Sequence, residues 1–142
     1  MKYTIEGFSQ QYALSLKREI EENGKIKIIK IDCTDLLILR WFVDFYPNMK
    51  RFTINGNEYA WVNYQKLLDD MPLMNIGKHM LSLRLQKMVV FGILTHHTIK
   101  NSCGTYSCYG FGSSYSNLIS DAEIADGMQN IADGVCNKLQ TK

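Results

Sequence analysis

The sequence predicts an α+β fold, mainly helical, with a small antiparallel sheet, and two observations predict it. From Asn63 to Phe91, apolar residues recur at helical spacing on both sides of Pro72, which cannot donate to a helical ladder. After Gly92 the pattern changes to alternation, and two β-prone runs flank the small polar residues 101–104. Two such runs about a short turn predict a hairpin, here called the wing (residues 93–111).

The helical stretch divides into two helices with predictable ends. Asn63 is the predicted N-cap of the first and Asn75 of the second, because an asparagine side chain can accept a hydrogen bond from the first turn. The second helix is predicted to run to about Phe91, with Gly92 just past its end. A helix-turn-helix followed by a hairpin is the outline of a winged helix, whose second helix enters the DNA major groove.

A helix and a strand are predicted before this unit. Between Phe8 and Asn23, apolar residues recur every four positions, which predicts an amphipathic helix capped by Ser9 and ended at Asn23-Gly24. Residues 25–31 alternate and are β-branched, which predicts a strand with its lysines outward. Those lysines are expected to solubilise an edge strand, with phosphate contact as the alternative.

A core helix and a second hairpin are predicted between residues 32 and 62. Asp32 or Thr34 caps the helix, which is apolar on nearly every side and ends before Pro47. Asn55-Gly56 lies between two β-prone runs, and both residues tolerate a positive φ, which predicts a hairpin turn. We expect the second arm of this hairpin to pair with the wing.

The C-terminal residues predict a further helix after a short joint at 112–114. Tyr115 and Leu118 are expected to fold back on the core, and Ser120 with Glu123 forms a predicted capping box. The helix has one apolar seam, formed by Ile124, Met128, Ile131 and Val135. That seam either covers the N-terminal helix of the same chain or forms a homodimer contact. We expect a single domain, with an N-terminal part at 1–31, the core at 32–112 and the C-terminal helix at 113–142.

Composition excludes several classes of protein. With 142 residues, 46% of them apolar, the chain suits one globular domain. No apolar run approaches the ~20 residues of a membrane span, and the first residues lack the apolar segment of a secretory signal. We therefore expect a cytoplasmic protein without a membrane partner. No nucleotide-binding glycine loop, HExxH or GxSxG pattern is present, so we expect neither an enzyme nor a cofactor.

The four cysteines lack a short paired spacing and are expected to be reduced thiols. A zinc site on the wing, from His96 and His97 together with Cys103 and Cys108, is the alternative. It is disfavoured because neighbouring histidines on a strand point to opposite faces. We therefore expect no metal.

Charge is distributed unevenly along the chain. Residues 71–120 contain four Lys or Arg residues and no Asp or Glu, and they coincide with the second helix and the wing. Because a carboxylate near the phosphates would weaken binding, this segment favours nucleic acid as the partner.

The second helix presents separate polar and apolar arcs when residues are placed 100° apart. The candidate DNA-binding residues lie on its polar side and at the wing tip: Asn75, Lys78, His79, Ser82, Gln86, Lys87, Lys100 and Asn101. Lysine can donate to guanine, and glutamine can pair with adenine. Arg84 is expected to pair with Asp69, Asp70 or Asp44 instead. Ile76, Met80 and Leu83 remain apolar on the same helix, which keeps protein binding open.

Part of this stretch also resembles a known family. The strand Glu58–Val62, the run LLDDMP and the phrase LRLQKMVVFGIL resemble the winged-helix domain at the front of replication initiators and replisome organisers of phages and plasmids of Gram-positive bacteria. The resemblance covers roughly residues 32–118. It implies a double-stranded DNA-binding protein of a mobile element that acts in replication initiation or its control. The alternatives are a winged-helix transcription regulator and a winged helix that binds a host or phage protein.

Overall fold

The computed structural model describes residues 1–119 and is an α+β structure. The sequence predicts a mainly helical chain, but the described part is about 42% helix and 34% strand. It contains no helix that is long and apolar enough to cross a membrane. The predicted C-terminal seam of Ile124, Met128, Ile131 and Val135 lies outside the described residues.

Four helices and eight strands define the described chain, and a further helical segment spans 115–119. The helices are α1 (Gln10–Ser15), α2 (Cys33–Phe45), α3 (Tyr64–Asp70) and α4 (Lys78–Val90). The strands are β1 (Thr4–Ile5), β2 (Phe8–Ser9), β3 (Lys17–Glu22), β4 (Lys25–Lys30), β5 (Arg51–Ile54), β6 (Asn57–Trp61), β7 (Leu94–Asn101) and β8 (Gly104–Phe111).

The strands form three antiparallel sheets in the part of the chain that the structure describes. Two are the hairpins β1-β2 and β3-β4, and the third has the order β5-β6-β8-β7. The predicted wing is confirmed as β7 and β8, which pair along their whole length. The expected pairing of the second hairpin with the wing is also confirmed, because Ala60 lies opposite Tyr109 and Trp61 opposite Cys108.

The predicted N-terminal helix is wrong beyond its first turns. Ser9 does cap α1, since its side chain accepts a hydrogen bond from the Tyr12 N–H at 3.1 Å. The helix ends at Ser15, however, and Lys17–Glu22 forms a strand paired with β4. Asn23 and Gly24 have φ angles of 56° and 77°, which is the geometry of a tight hairpin turn. The turn places Lys17–Glu22 beside β4, and the two segments pair as antiparallel strands. Lys17–Glu22 therefore forms a strand instead of continuing the helix.

The core lies between α2, α4 and one face of the four-stranded sheet. Asp32 caps α2 as predicted, with a reciprocal capping box to Asp35. Leu81, Leu85 and Met88 of α4 are buried, so this side of the helix faces the core. Leu118 is buried against the same core, as expected from the sequence.

The base of the wing is closed against the end of α4. Gly92 follows the helix with a φ of 77°, and the Gly112 N–H donates to the Ile93 carbonyl at 2.8 Å. A Cβ atom at Gly112 would lie 2.1 Å from the Gly92 carbonyl oxygen, so a side chain does not fit there. The wing is thereby held at a fixed position relative to α4.

Candidate nucleic-acid interface

The turn between α3 and α4 exposes the start of α4. Asn63 caps α3 as predicted, and Pro72 begins a 3₁₀ turn over Pro72–Met74. The expectation that Asn75 caps α4 is wrong, because Gly77 occupies that position and Asn75 adopts a left-handed conformation with φ 54°. Asparagine tolerates this conformation, so Asn75 ends the 3₁₀ turn and stays exposed.

The polar arc of α4 faces the wing. Lys78, His79 and Gln86 are exposed and Ser82 is half-buried. Lys78 borders a cleft of about 250 Å³ that β8 lines with Thr105 and Ser107. Thr105 and Ser107 are two positions apart on β8, so their side chains lie on the same face of the wing. The start of the polar arc, at Lys78, therefore lies beside polar residues of the wing.

The apolar arc of α4 faces the other way, toward the N-terminal hairpin. Met80, Leu83 and Val90 line a groove of about 440 Å³ whose opposite wall is β4, including Ile28. All four side chains are more than 40% exposed. Gln86 also borders this groove, so the polar and apolar arcs meet there, whereas Lys78 lies at the wing end of the helix.

The structure gives Lys87 a different role from the predicted DNA contact. Its Nζ lies 2.6 Å from Asp35 Oδ2, and its side chain is only 18% exposed. Arg84 is paired with acids, as expected, but the partners are Asp32 and Asp35 of α2 rather than Asp69, Asp70 or Asp44. Arg84 Nη1 lies 2.7 Å from Asp32 Oδ1 and 3.1 Å from Asp35 Oδ1. Lys87 is therefore removed from the candidate interface.

This buried charge cluster anchors α4 to the start of α2. Asp35 is fully buried, and burial raises the pKa of its carboxyl while the hydrogen bond from Lys87 opposes that rise. Partial burial also works against ionised Asp32, but the hydrogen bonds from Arg84 and from the Asp35 amide hold the pKa of Asp32 below its ordinary value. The negative charges of Asp32 and Asp35 are thus matched by the positive charges of Arg84 and Lys87, between α2 and α4.

A second polar network joins α3, α4 and the wing. The hydroxyl oxygens of Tyr64 and Tyr109 lie 2.6 Å apart, and His96 Nε2 lies 2.9 Å from Ser107 Oγ. The His96 ring packs on Tyr109 at a centroid distance of 4.7 Å. Burial raises the pKa of Tyr109, and hydrogen bonds from Ser107 and Gln86 oppose part of the rise. Gln86 therefore lies where α4 meets the wing.

We expect His96 to make the fold sensitive to mild acid. Burial, and to a smaller extent the neighbouring His97, lowers the pKa of His96 below its ordinary value of 6.5. The unfolded chain therefore binds the proton more readily, so stability is complete above about pH 6.5 and falls as the pH drops toward the lowered pKa. Urea unfolding at several pH values should show this loss in the parent. His96→Gln should lack it, and equal pH dependence of parent and variant would contradict the assignment.

The wing tip carries the other two candidates. Lys100 and Asn101 are exposed, and the Asn101 side-chain oxygen accepts a hydrogen bond from the Cys103 N–H at 2.8 Å. Asn101 therefore shapes the turn, while Lys100 is the charge that the tip presents. His97 lies opposite Cys108 in the wing, but within residues 1–119 no three His, Cys, Asp or Glu side chains come together as metal ligands do.

Sequence reasoning did not identify Tyr64, Thr105 and Ser107 as neighbours of the candidate helix. The signal for the last two was the wing register, since alternate residues of β8 share a face. Comparisons of the chain with models of protein families, with curated proteins and with solved structures found no match.

Proposed function

We propose that residues 32–112 form a winged-helix unit that binds double-stranded DNA, with α4 in the major groove and the wing along the backbone. The order α2, β5-β6, α3, α4, β7-β8 and the pairing of β6 with β8 support this proposal. Helix-turn-helix proteins contact base edges with the N-terminal residues of the second helix. Lys78 and His79 occupy that position here.

The observation that carries the proposal is that Lys78, at the start of the α4 polar arc, borders the same cleft as Thr105 and Ser107 of the wing. The proposed surface comprises this polar arc and the wing. Lys78 and Lys100 supply its positive charge, and Ser82 and Gln86 supply groups that can bond phosphate or a base edge. No Asp or Glu occurs in residues 71–120, and Arg84 and Lys87 already neutralise Asp32 and Asp35. A phosphate backbone on this surface would therefore meet no neighbouring carboxylate of α4 or the wing.

The biological setting that we propose is replication initiation, or its control, in a phage or plasmid. Support comes from the resemblance of residues 32–118 to winged-helix domains of such initiators. A winged-helix transcription regulator would use the same surface and differ in its binding site, at a promoter instead of an origin.

Salt-dependent affinity for duplex DNA tests the proposal. Random and phage-derived duplexes would be titrated with the full chain at two salt concentrations, with binding followed by anisotropy of a labelled duplex. We expect the logarithm of the affinity to fall with the logarithm of the salt concentration, by ~0.9 for each phosphate contact. Absence of duplex binding at low salt would overturn the proposal.

A second candidate function is protein binding, favoured by the apolar groove between α4 and β4. Met80, Leu83 and Ile28 are 44%, 49% and 59% exposed there. Exposed apolar patches of this kind mark interaction sites in many proteins. Leu83→Gln, which adds no charge, should leave duplex affinity unchanged if the two arcs act separately, since Leu83 faces the groove with β4.

A further inference from the structure

The outer face of the four-stranded sheet is unusually aromatic for an exposed surface. The register places Phe52, Tyr59, Trp61 and Tyr106 on this face, opposite to the one that covers the core. The Tyr106 ring lies 5.4 Å from Phe52 and 5.3 Å from Trp61, between ring centroids. All four rings are half-buried; Phe52, Tyr106 and Trp61 contact one another in sequence, and Tyr59 packs on His97 of the same face. We call the four rings the aromatic row.

A small cleft continues the aromatic row at its Trp61 end. It has a volume of about 180 Å³, and its walls include Trp41, Phe45 and Trp61. Trp41 and Phe45 pack on each other with centroids 5.0 Å apart. The exposed amide of Asn48 also borders this cleft. An aromatic slot with a polar group at its edge suits a flat ring that carries hydrogen-bonding groups.

Positive charge lines the same surface. Lys50 Nζ stands 4.8 Å above the centre of the Tyr106 ring, and Lys66 Nζ lies 5.6 Å from that of Phe45. Both lysines also border the cleft. Asp70 accepts a hydrogen bond from the Trp41 indole at 2.8 Å and pairs with Lys66 at 3.8 Å. Among the described residues, the register places no Asp or Glu side chain on this face of the sheet.

We propose that the aromatic row and the cleft bind the unpaired bases of a single-stranded nucleic acid. Single strands are bound by aromatic side chains on which bases stack, combined with positive charge along the backbone. Duplex bases are stacked on each other and cannot present their faces to this surface. The site lies on the outer face of the sheet, and it adjoins the proposed duplex-binding surface at Trp61, which borders the same cleft as Lys78.

The two tryptophans of the chain make the proposal directly measurable. Trp41 and Trp61 both line the cleft, so a base that stacks there should quench the intrinsic fluorescence. The full chain would be titrated with an oligothymidine of about 12 nucleotides, a length within the ~4–16 nucleotides that such sites cover. We expect saturable quenching and a rise in anisotropy of the labelled oligonucleotide.

Two variants connect the binding to this face. Trp61→Ala should weaken single-strand affinity by about 5- to 140-fold, the range that corresponds to ~1–3 kcal/mol for one stacked base. Trp61→Phe is the matched control, because it keeps an aromatic ring and should bind within a few-fold of the parent. Lys50→Gln should lower the salt slope for single strands by ~0.7 while leaving the slope for duplex unchanged. Lys25→Gln, which removes a lysine from the tip of the β3-β4 hairpin, should change neither.

Several outcomes would overturn the proposal. Absence of single-strand binding by the parent would do so, as would parent-like binding by Trp61→Ala together with Lys50→Gln. Concentration-dependent self-association that Trp61→Ala abolishes, without single-strand binding, would identify the face as a protein interface instead. Because duplex affinity is measured on the same samples, loss of the single-strand site is distinguishable from failure of the duplex-binding proposal.

Discussion

Replacing Asp35 with alanine is expected to lower the free energy of unfolding by about 3–5 kcal/mol, the cost of breaking a buried ion pair from one side. Asp35 is fully buried and holds Lys87 at 2.6 Å and Arg84 at 3.1 Å. Its carboxylate also accepts a hydrogen bond from the Asp32 N–H at the start of α2. The variant would leave two cations without this partner and would remove half of the capping box. Urea unfolding of parent and variant measures the difference.

The control is a second aspartate of the same helix. Asp44 pairs with Arg40 at 3.0 Å on the surface, where its side chain is 59% exposed. Exposed pairs four residues apart in a helix contribute only ~0.3–0.5 kcal/mol, so Asp44→Ala should be nearly neutral. Asp35→Asn keeps the shape of the side chain and isolates the loss of charge. If Asp35→Ala cost no more than Asp44→Ala, the cluster would not be what anchors α4.

Replacing Lys78, Gln86 and Lys100 together with alanine is expected to abolish most duplex binding and to leave the fold intact. All three side chains are exposed, so stability should stay within about 1 kcal/mol of the parent. Two lost phosphate contacts should lower the salt slope by about 1.8, at ~0.9 for each lysine. Gln86→Ala alone should relax sequence preference by ~1–3 kcal/mol and change non-specific affinity little. Anisotropy titrations at several salt concentrations measure each of these effects.

A variant with matched charge separates this surface from net charge in general. Lys17 and Lys25 are exposed on the β3-β4 hairpin, and replacing both with alanine removes the same charge as Lys78 and Lys100. Duplex affinity should fall far less in this control. If the double and the triple variant lost the same duplex affinity, the duplex would bind elsewhere on the protein. If the triple variant kept its duplex affinity, protein binding through Met80 and Leu83 would be favoured.

The ends of the central helices can be predicted from the sequence because the residues that set them lie within or next to each helix. The cap at Asn63, the stop at Pro72 and the glycine after α4 each act within a few residues, and the structure agrees with them. The β3-β4 hairpin was missed because its signals compete. An apolar repeat of four over 8–20 fits a helix, whereas Asn23-Gly24 serves equally as a helix end and as a hairpin turn. The pairing of β3 with β4 decides between them.

Long-range contacts explain what the sequence could not predict. Arg84 was expected to pair with an acid, but its partners Asp32 and Asp35 lie about fifty residues away, where helical spacing carries no information. Lys87 has the appearance of a free surface lysine until α2 is packed beneath it. The aromatic row is equally hidden, because Phe52, Trp61 and Tyr106 become neighbours only through the register of three strands.

Because the charge cluster under α4 is buried, salt should affect the stability of the fold less than it affects the proposed binding of DNA. Screening acts on exposed charges over a Debye length of ~8 Å at physiological ionic strength, whereas buried pairs are screened much less. Salt that releases a phosphate backbone from Lys78 and Lys100 would therefore leave Asp35 and Lys87 paired. In the proposed complex with duplex DNA, α4 would be held in place before binding, so association would not need to order the helix.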